Sequence, residues 1–392
     1  MADPAAPMEF IFLGTGTSSC IPNVYCLTRP PDDPTPPCKT CLSTLNPEGK
    51  KNIRRNTSGV VRTKGKDGRE VTIVIDSGKT FQAATVEWFP KHGLRKIDAL
   101  LITHPHADAM NGLDDLRGWT LNRSIQSHVD VYVSETTFRE VKRSFPYLVS
   151  KEFSTGGGDV PDFIWHIIED KVPFEINDTG IFVTPFSVHH GRIFSQAPPP
   201  GYVPTPGAGG GSMTPSELPL EQEMRHLSVN GKPKKQDDVI HPYLCLGFKI
   251  QDEIIYLADV SYIPDDAWAI INDSQGREGR PLPLCILDCL TLHPHMSHFG
   301  FEQSIAHARK IGASRTYLLG FSHQVTHDEY VTITEAVGGA ELDESKLTKS
   351  EKEGLEQIGT GDPLWVRPAH DGLRVVIEQG LVRDDTYDSE TA

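Results

Sequence analysis

The sequence predicts a mixed α/β protein. Short apolar runs of strand length alternate with segments of helical spacing, and polar clusters recur just past the ends of the apolar runs. Composition agrees: 38% hydrophobic and 23% charged residues over 392 positions describe a globular chain with a sizeable core.

Glu9 to Leu13 reads as the first strand, running into Gly14-Thr-Gly16, where glycines permit a turn and do not by themselves argue phosphate binding. Residues 27–37 are proline-rich and polar, a loop insertion. Ser58 to Arg62 and Val71 to Ile75 read as strands, the second closing in Asp76-Ser-Gly78. A helix over Phe81 to His92 precedes the apolar run Ile97 to Ile102, which leads into Thr103-His-Pro-His-Ala-Asp-Ala109. Helical spacing over Leu113 to Asn122 and Glu135 to Arg143 brackets a strand at Val129 to Val133. Another strand, Phe182 to Val188, enters His189-His190-Gly191.

Residues 197–238, with Pro198-Pro-Pro200 and Gly209-Gly-Gly211, read as an inserted excursion, because strand patterns resume on both sides. Leu244 to Ile250, Ile254 to Ala258, Leu284 to Asp288 and Thr316 to Leu319 continue the strands, with a helix over Phe301 to Ile311. A third insertion spans 336–362 and is charged and helix-prone from Ala340 to Glu356. Leu373 to Ile377 reads as the last strand. The organisation expected is one domain over 8–380 and a disordered tail over 381–392.

A net charge of −15 argues against a broad grip on a polyanion, so a small substrate is favoured and no stable nucleic-acid binding is expected. Lys232-Pro-Lys-Lys235 is a compact basic run, but Asp237 and Asp238 follow it and a solvated loop is the simpler reading. No apolar run approaches the roughly 18 residues that span a bilayer, and the first residues lack a secretory pattern. Cytoplasm or nucleus is the compartment expected, with no membrane association. Seven cysteines without an export signal argue against a disulfide framework.

Four polar clusters fall at the carboxyl ends of predicted strands: His104/His106/Asp108, His189/His190, Asp259 and Ser322/His323. Two imidazoles and a carboxylate at alternate positions of one turn can converge on a single ion, so the joint pattern points to a metal site. Cys38-Lys-Thr-Cys41 is a CxxC whose sulfurs could clasp a tetrahedral ion, whereas Cys245, Cys285 and Cys289 lie in apolar runs and read as core.

The string THPHADAMNGLDDLR resembles the HxHxDH motif of the metallo-β-lactamase superfamily. FLGTGTSSCIPNVYC, IDSG, LADVS, HPHMSHFGFEQS and GFSHQVTHDE narrow the resemblance to the branch holding the phosphonate-pathway cyclic phosphodiesterase and tRNase Z, over about Phe10 to Gly372. The resemblance implies an αββα sandwich with the metal site along one edge.

It further implies that His104, His106, His190 and Asp259 hold one catalytic Zn²⁺ or Mn²⁺, with His189 a neighbour of the ligand. The second position of two-metal relatives would use Asp108 and Asp259, but its two histidines are replaced by Ala109 and Gly320. That pattern fits one metal, and it equally fits loss of catalysis. Cys26, Cys38, Cys41 and His323 align with a structural zinc site, with Cys20 competing for the place of Cys26. His298 aligns with a histidine near the scissile phosphate and would act as the acid, Asp108 would orient or deprotonate the attacking water, and Asp76 would hold the histidine turn.

The expected function is metal-dependent hydrolysis of a small or cyclic phosphodiester. The alternatives are a catalytically degenerate scaffold keeping the structural zinc, and a hydrolase of thioesters or other esters. Relatives are often homodimers, though no segment here marks an interface.

Overall fold

Alternation of apolar side chains along each strand gives every sheet two faces to bury, and this chain buries both faces of both sheets. The structure, a computed structural model, describes residues 7–156, 159–193, 241–274, 276–277 and 279–388. In chain order the first six strands are β1 (Met8–Gly14), β2 (Ser58–Lys64), β3 (Glu70–Ile75), β4 (Ala99–Leu101), β5 (Val129–Val133) and β6 (Phe163–Ile167). The next seven are β7 (Phe174–Glu175), β8 (Phe182–Ile193), β9 (His241–Ile250), β10 (Ile254–Leu257), β11 (Leu284–Asp288), β12 (Arg315–Leu319) and β13 (Val366–Pro368). The chain then returns through β14 (Arg374–Glu378) and β15 (Leu381–Asp384).

One sheet runs β15-β14-β1-β2-β3-β4-β5-β6 and the other β13-β12-β11-β10-β9-β8-β7. Phe10, Phe12, Ile73, Ile75, Phe248, Tyr256, Ile286 and Tyr317 meet in the core between them. The outer face of the first sheet, with Ile11, Val60, Val74, Leu100 and Val131, is covered by α1 (Phe81–His92) and α2 (Glu135–Ser144). Ile255, Leu257, Cys285 and Leu318 on the outer face of the second pack against α3 (Asp265–Asn272), α4 (Phe301–Ile311) and α5 (His327–Val337). Four layers result, helix, sheet, sheet, helix, as expected.

Several segments depart from the sequence reading. The stretch 381–392, expected as a disordered tail, supplies edge strand β15, and Tyr317 and Arg315 donate hydrogen bonds to Asp384. Within 336–362 the helical part is α6, Lys349–Glu356, started by a reciprocal Thr348/Glu351 capping box. Leu113 to Asn122 is broken into a 3₁₀ turn, Leu113–Leu116, and a short helix, Arg117–Thr120, because Leu113 and Leu116, three apart, both point into the core. The 197–238 excursion lies outside the described residues.

Arg54 ties the segment before β2 to the segment after β12. Its side chain is 1% exposed and donates to the carbonyls of Ser322 and Val325, the latter at 2.9 Å. The guanidinium also lies over Phe321, 5.2 Å from the ring centre. Burial pulls its pKa down to about 10, so the cation persists at neutral pH.

An Arg54→Met substitution keeps volume but strands two carbonyls. A urea titration is expected to show a loss of roughly 2–4 kcal/mol, at about 1–3 kcal/mol per orphaned polar group; a loss under about 0.5 kcal/mol would refute the tie. His327, buried at the start of α5, has its pKa held well below the usual value by burial and then by the charges of His370, Arg54 and Lys51. A depressed imidazole contributes stability that is present above the unfolded pKa near 6.5 and is lost as pH falls below it. His327→Gln is therefore expected to flatten the stability-versus-pH slope below about pH 6.5 by up to about 1.4 kcal/mol per pH unit, read from urea midpoints at successive pH values.

Candidate metal centre

The carboxyl ends of β4, β10 and β11 open at one edge of the sandwich, where the segments that follow them carry candidate ligands; His190 lies within β8, at an irregularity of its pairing with β9, and not in a turn after the strand as the sequence suggested. β3 and β4 are parallel neighbours, so Asp76 at the end of one stands beside Thr103 at the end of the other. Asp76 adopts φ 60° and accepts from Thr103 N and Thr103 Oγ1, each at 2.8 Å. Burial pushes its carboxyl well up, against the pull of these two bonds. With Asp76 ionised, the Thr103 hydroxyl proton is committed to it. The 2.8 Å contact between Thr103 Oγ1 and His104 Nδ1 then runs from the imidazole, leaving a lone pair on Nε2. That Nε2 is buried and has no hydrogen-bond partner.

His190 is fixed the same way. Its Nδ1 lies 2.8 Å from the Ser297 carbonyl, which can only accept, so the proton sits on Nδ1 and Nε2 is free. His104, His106 and His190 offer ligand atoms all within 4.8 Å of one another, and their ring centres are 4.6, 5.1 and 5.1 Å apart. Burial, followed by the charge of His190, lowers both turn histidines, His106 to about 4. Neutral imidazole is the form that binds a metal.

A second group, His190, Asp259 and His298, also converges within 4.8 Å. Asp259 follows β10 with φ 53°, and burial raises its carboxyl although His190 and His298 oppose this. His298 donates from Nδ1 to Asp288 Oδ2 at 2.9 Å and lies 3.7 Å from Asp259. Burial alone would lower His298, but Asp288 and then Asp259 carry it up to about 9. Asp288 Oδ2 also accepts from Val260 N and Phe299 N, so one carboxylate fixes both the Asp259 loop and the His298 loop.

Asp108, expected as ligand and as catalytic carboxylate, is in neither converging group. It lies in the first turn of the short helix Ala107–Met110, its carboxyl raised by burial and then by the charge of Asp259. Its carbonyl presses on Gly78: a Cβ there would sit 1.8 Å from the Asp108 oxygen, so this approach requires glycine. His189 points away and meets the Tyr262 ring at 5.0 Å. Ala109 is buried, and Gly320 has φ +82° and runs against Asp288: a Cβ would lie 2.4 Å from Asp288 Oδ1.

The cysteine group assembles as expected. His323 Nδ1 lies 3.4, 3.3 and 3.7 Å from the sulfurs of Cys26, Cys38 and Cys41. Tetrahedral zinc with bonds of about 2.3 Å to sulfur and 2.0 Å to nitrogen places S and N about 3.5 Å apart, so the donor set and its spacing fit a divalent ion. The Tyr25 hydroxyl, 2.7 Å from His323 Nε2, orients the ring, and Asn23 N and Cys41 N point at sulfurs. Burial, with Cys38 and Cys26 adding to it, pushes the Cys41 thiol up to about 12, so three thiolates here require a cation. Cys20 is outside the group, and Cys245, Cys285 and Cys289 are core.

Sequence reasoning did not find Asp288, Ser297, Tyr25 or Tyr243, whose ring stacks on His106. Asp288 had a findable signal: like Asp76 and Asp259 it closes a strand-length apolar run.

Residues 71–209 match the beta-lactamase superfamily domain. A new diphosphatase from the PhnP family is similar in structure, with a TM-score of 0.57 and 21% identity, covering 95% of this chain and 98% of that one. The metallo-beta-lactamase fold protein YhfI from Bacillus subtilis gives a TM-score of 0.48 at 12% identity, over 94% and 99% of the two chains. An octanoyltransferase from Porphyromonas gingivalis is 28% identical over 186 residues, 47% of this chain and 32% of that protein. The chain thus spans about a third of that relative's length. Residues 71–209 thus resemble the beta-lactamase superfamily domain, and the chain as a whole shares the fold of the diphosphatase. Among the described residues no helix is long and apolar enough to cross a membrane.

Elemental analysis of Cys38→Ser is expected to show one metal ion fewer per chain than the unsubstituted protein. An unchanged metal content would mean that the Cys/His group holds no ion.

Proposed function

We propose that this chain is a metal-dependent hydrolase of small phosphodiesters. One observation carries the reading: three imidazoles converge, His104 and His190 with Nδ1 tied back, next to Asp259 and to His298, which Asp288 holds through its Nδ1. A diphosphatase among the similar folds supports hydrolysis at a phosphoryl centre. The net charge of −15 opposes a substrate as large as a transfer RNA.

His104, His106, His190 and Asp259 would hold the ion, zinc or manganese, whose chemistry when bound is to activate water and polarise a phosphoryl oxygen. Zinc suits the three sulfurs and one nitrogen of the other group. His298 remains an imidazolium at neutral pH, so it can bind the anionic phosphoryl group and then pass a proton to the departing alkoxide oxygen. Asp288 fixes the tautomer by accepting from Nδ1, which leaves the Nε2 proton for transfer. Asp108, its carboxyl raised by burial and by the charge of Asp259, would accept a proton from the attacking water in this reading.

A single catalytic ion is part of this proposal. Buried Ala109 removes one second-site imidazole, and Asp288 Oδ1 fills the space a side chain at Gly320 would need. The His298 cation then supplies the positive charge that a second ion would bring to the leaving group. The same two positions favour a second reading, a scaffold that binds metal without turnover.

The two readings separate on bis(p-nitrophenyl) phosphate with metal-loaded protein. Hydrolysis is expected, and His298→Ala should lower kcat by about 10²-fold or more with metal content unchanged. A fully active His298→Ala enzyme removes the acid role; absence of turnover on this and other phosphodiesters, with metal bound, leaves the scaffold.

A further inference from the structure

We propose that Tyr243 is a substrate-positioning residue whose hydroxyl donates a hydrogen bond to a nonbridging oxygen of the bound phosphoryl group, an inference that rests on the phosphodiester reading above. Tyr243 is the third residue of β9, and the antiparallel pairing of His189 with Leu244 sets it beside the strand that carries His190. Cys245, two residues on and so on the same face of β9, reaches within 3.6 Å of His104 Nδ1. The phenol ring is parallel to the His106 imidazole, with centres 4.5 Å apart and planes 6° apart. It lies 6.4 Å from His104 and 6.1 Å from His190.

These distances place the ring over one face of the imidazole triangle. A ring set radially outside His106 would stand much farther from the other two, because the triangle's own sides are 4.6 to 5.1 Å. An ion held by these residues would need room for the substrate oxygen beside the imidazole triangle. On this proposal the phosphoryl group lies on the side of the triangle over which Tyr243 stands.

Among the described residues the hydroxyl has no hydrogen-bond partner, and Tyr243 is half-buried. A phenol is a donor at neutral pH and finds a partner when covered. The groups facing it include Asp108 and Glu140, whose negative charge acts on it without a hydrogen bond. An incoming anion balanced by the ion and by His298 would be the first acceptor to reach it.

The test uses the full metal-loaded chain and inorganic phosphate as probe, titrated calorimetrically against the unsubstituted protein and Tyr243→Phe. The variant keeps the ring on His106 and removes only the hydroxyl. Phosphate is expected to bind the parent protein, and its Kd to rise roughly tenfold in the variant with metal content unchanged, the scale of one charge-assisted hydrogen bond. Equal affinities, or no phosphate binding by the parent, would overturn the assignment. So would a parallel loss of metal, since the hydroxyl would then serve the ligands. A tenfold weaker phosphate complex in a chain that cleaves no phosphodiester would retain Tyr243 as a positioning residue and discard the reaction.

Discussion

Two hydrogen bonds from Thr103 to the buried carboxylate of Asp76 decide where the histidine turn lies, and the candidate centre is built outward from them. Neither partner could be left alone at this depth, since a buried carboxylate without donors is among the costliest groups a fold can contain. The second sheet repeats the device. β10 and β11 are parallel, and Asp288 at the end of one accepts from the backbone just past the other, at Val260. Each sheet thus contains a parallel pair in which one strand's terminal carboxylate holds its neighbour's loop. The imidazoles meet because both loops are held at the same edge.

What the sequence made legible follows from this construction. Strands buried on both sides appear as short runs dominated by apolar residues, so β1, β3, β5 and β11 stand out, and a polar residue ending such a run lies at the sheet's edge. That is how the clusters at His104/His106/Asp108, His189/His190, Asp259 and His323 could be picked out, while their division into ligand sets, and the Cys26/Cys38/Cys41/His323 set as a whole, came from the resemblance to the metallo-β-lactamase superfamily. The short edge strands β6 and β15 are only partly covered; β15 was missed because half of its residues are charged, whereas β6 is an apolar run, Phe163-Ile-Trp-His-Ile167, that the sequence reading passed over. Asp288 was overlooked for another reason: its role depends on His298 and Val260 both folding back onto it. Tyr243 lies 137 positions from His106, and no spacing rule joins them. The separation of Asp108 from the converging ligands is likewise a property of a short helical turn, whose direction the motif does not specify.

The two clusters share one stretch of chain. Gly320 and Phe321 both donate to the Thr15 carbonyl, Ser322 donates to Leu290, and Arg54 holds the carbonyls of Ser322 and Val325. His323 lies in the middle of this braced loop and faces the cysteines; Gly320, three residues earlier, lies against Asp288. Leu290 belongs to the segment that leads to His298. Backbone hydrogen bonds thus connect the loop of the cysteine cluster to the segments that carry Asp288 and His298, the two ligand groups remaining separate among the described residues.

Gly320 and Asp288 also constrain how such a centre can change. A histidine at 320 needs both a backbone that tolerates a side chain at φ +82° and the volume now held by Asp288 Oδ1. Shrinking Asp288 first would release His298 and the Asp259 loop together. Each of these single changes disturbs the held loops, so placing an imidazole at 320 requires coordinated replacements. The position is guarded by its neighbours: what stands at 320 is set by what Asp288 already holds.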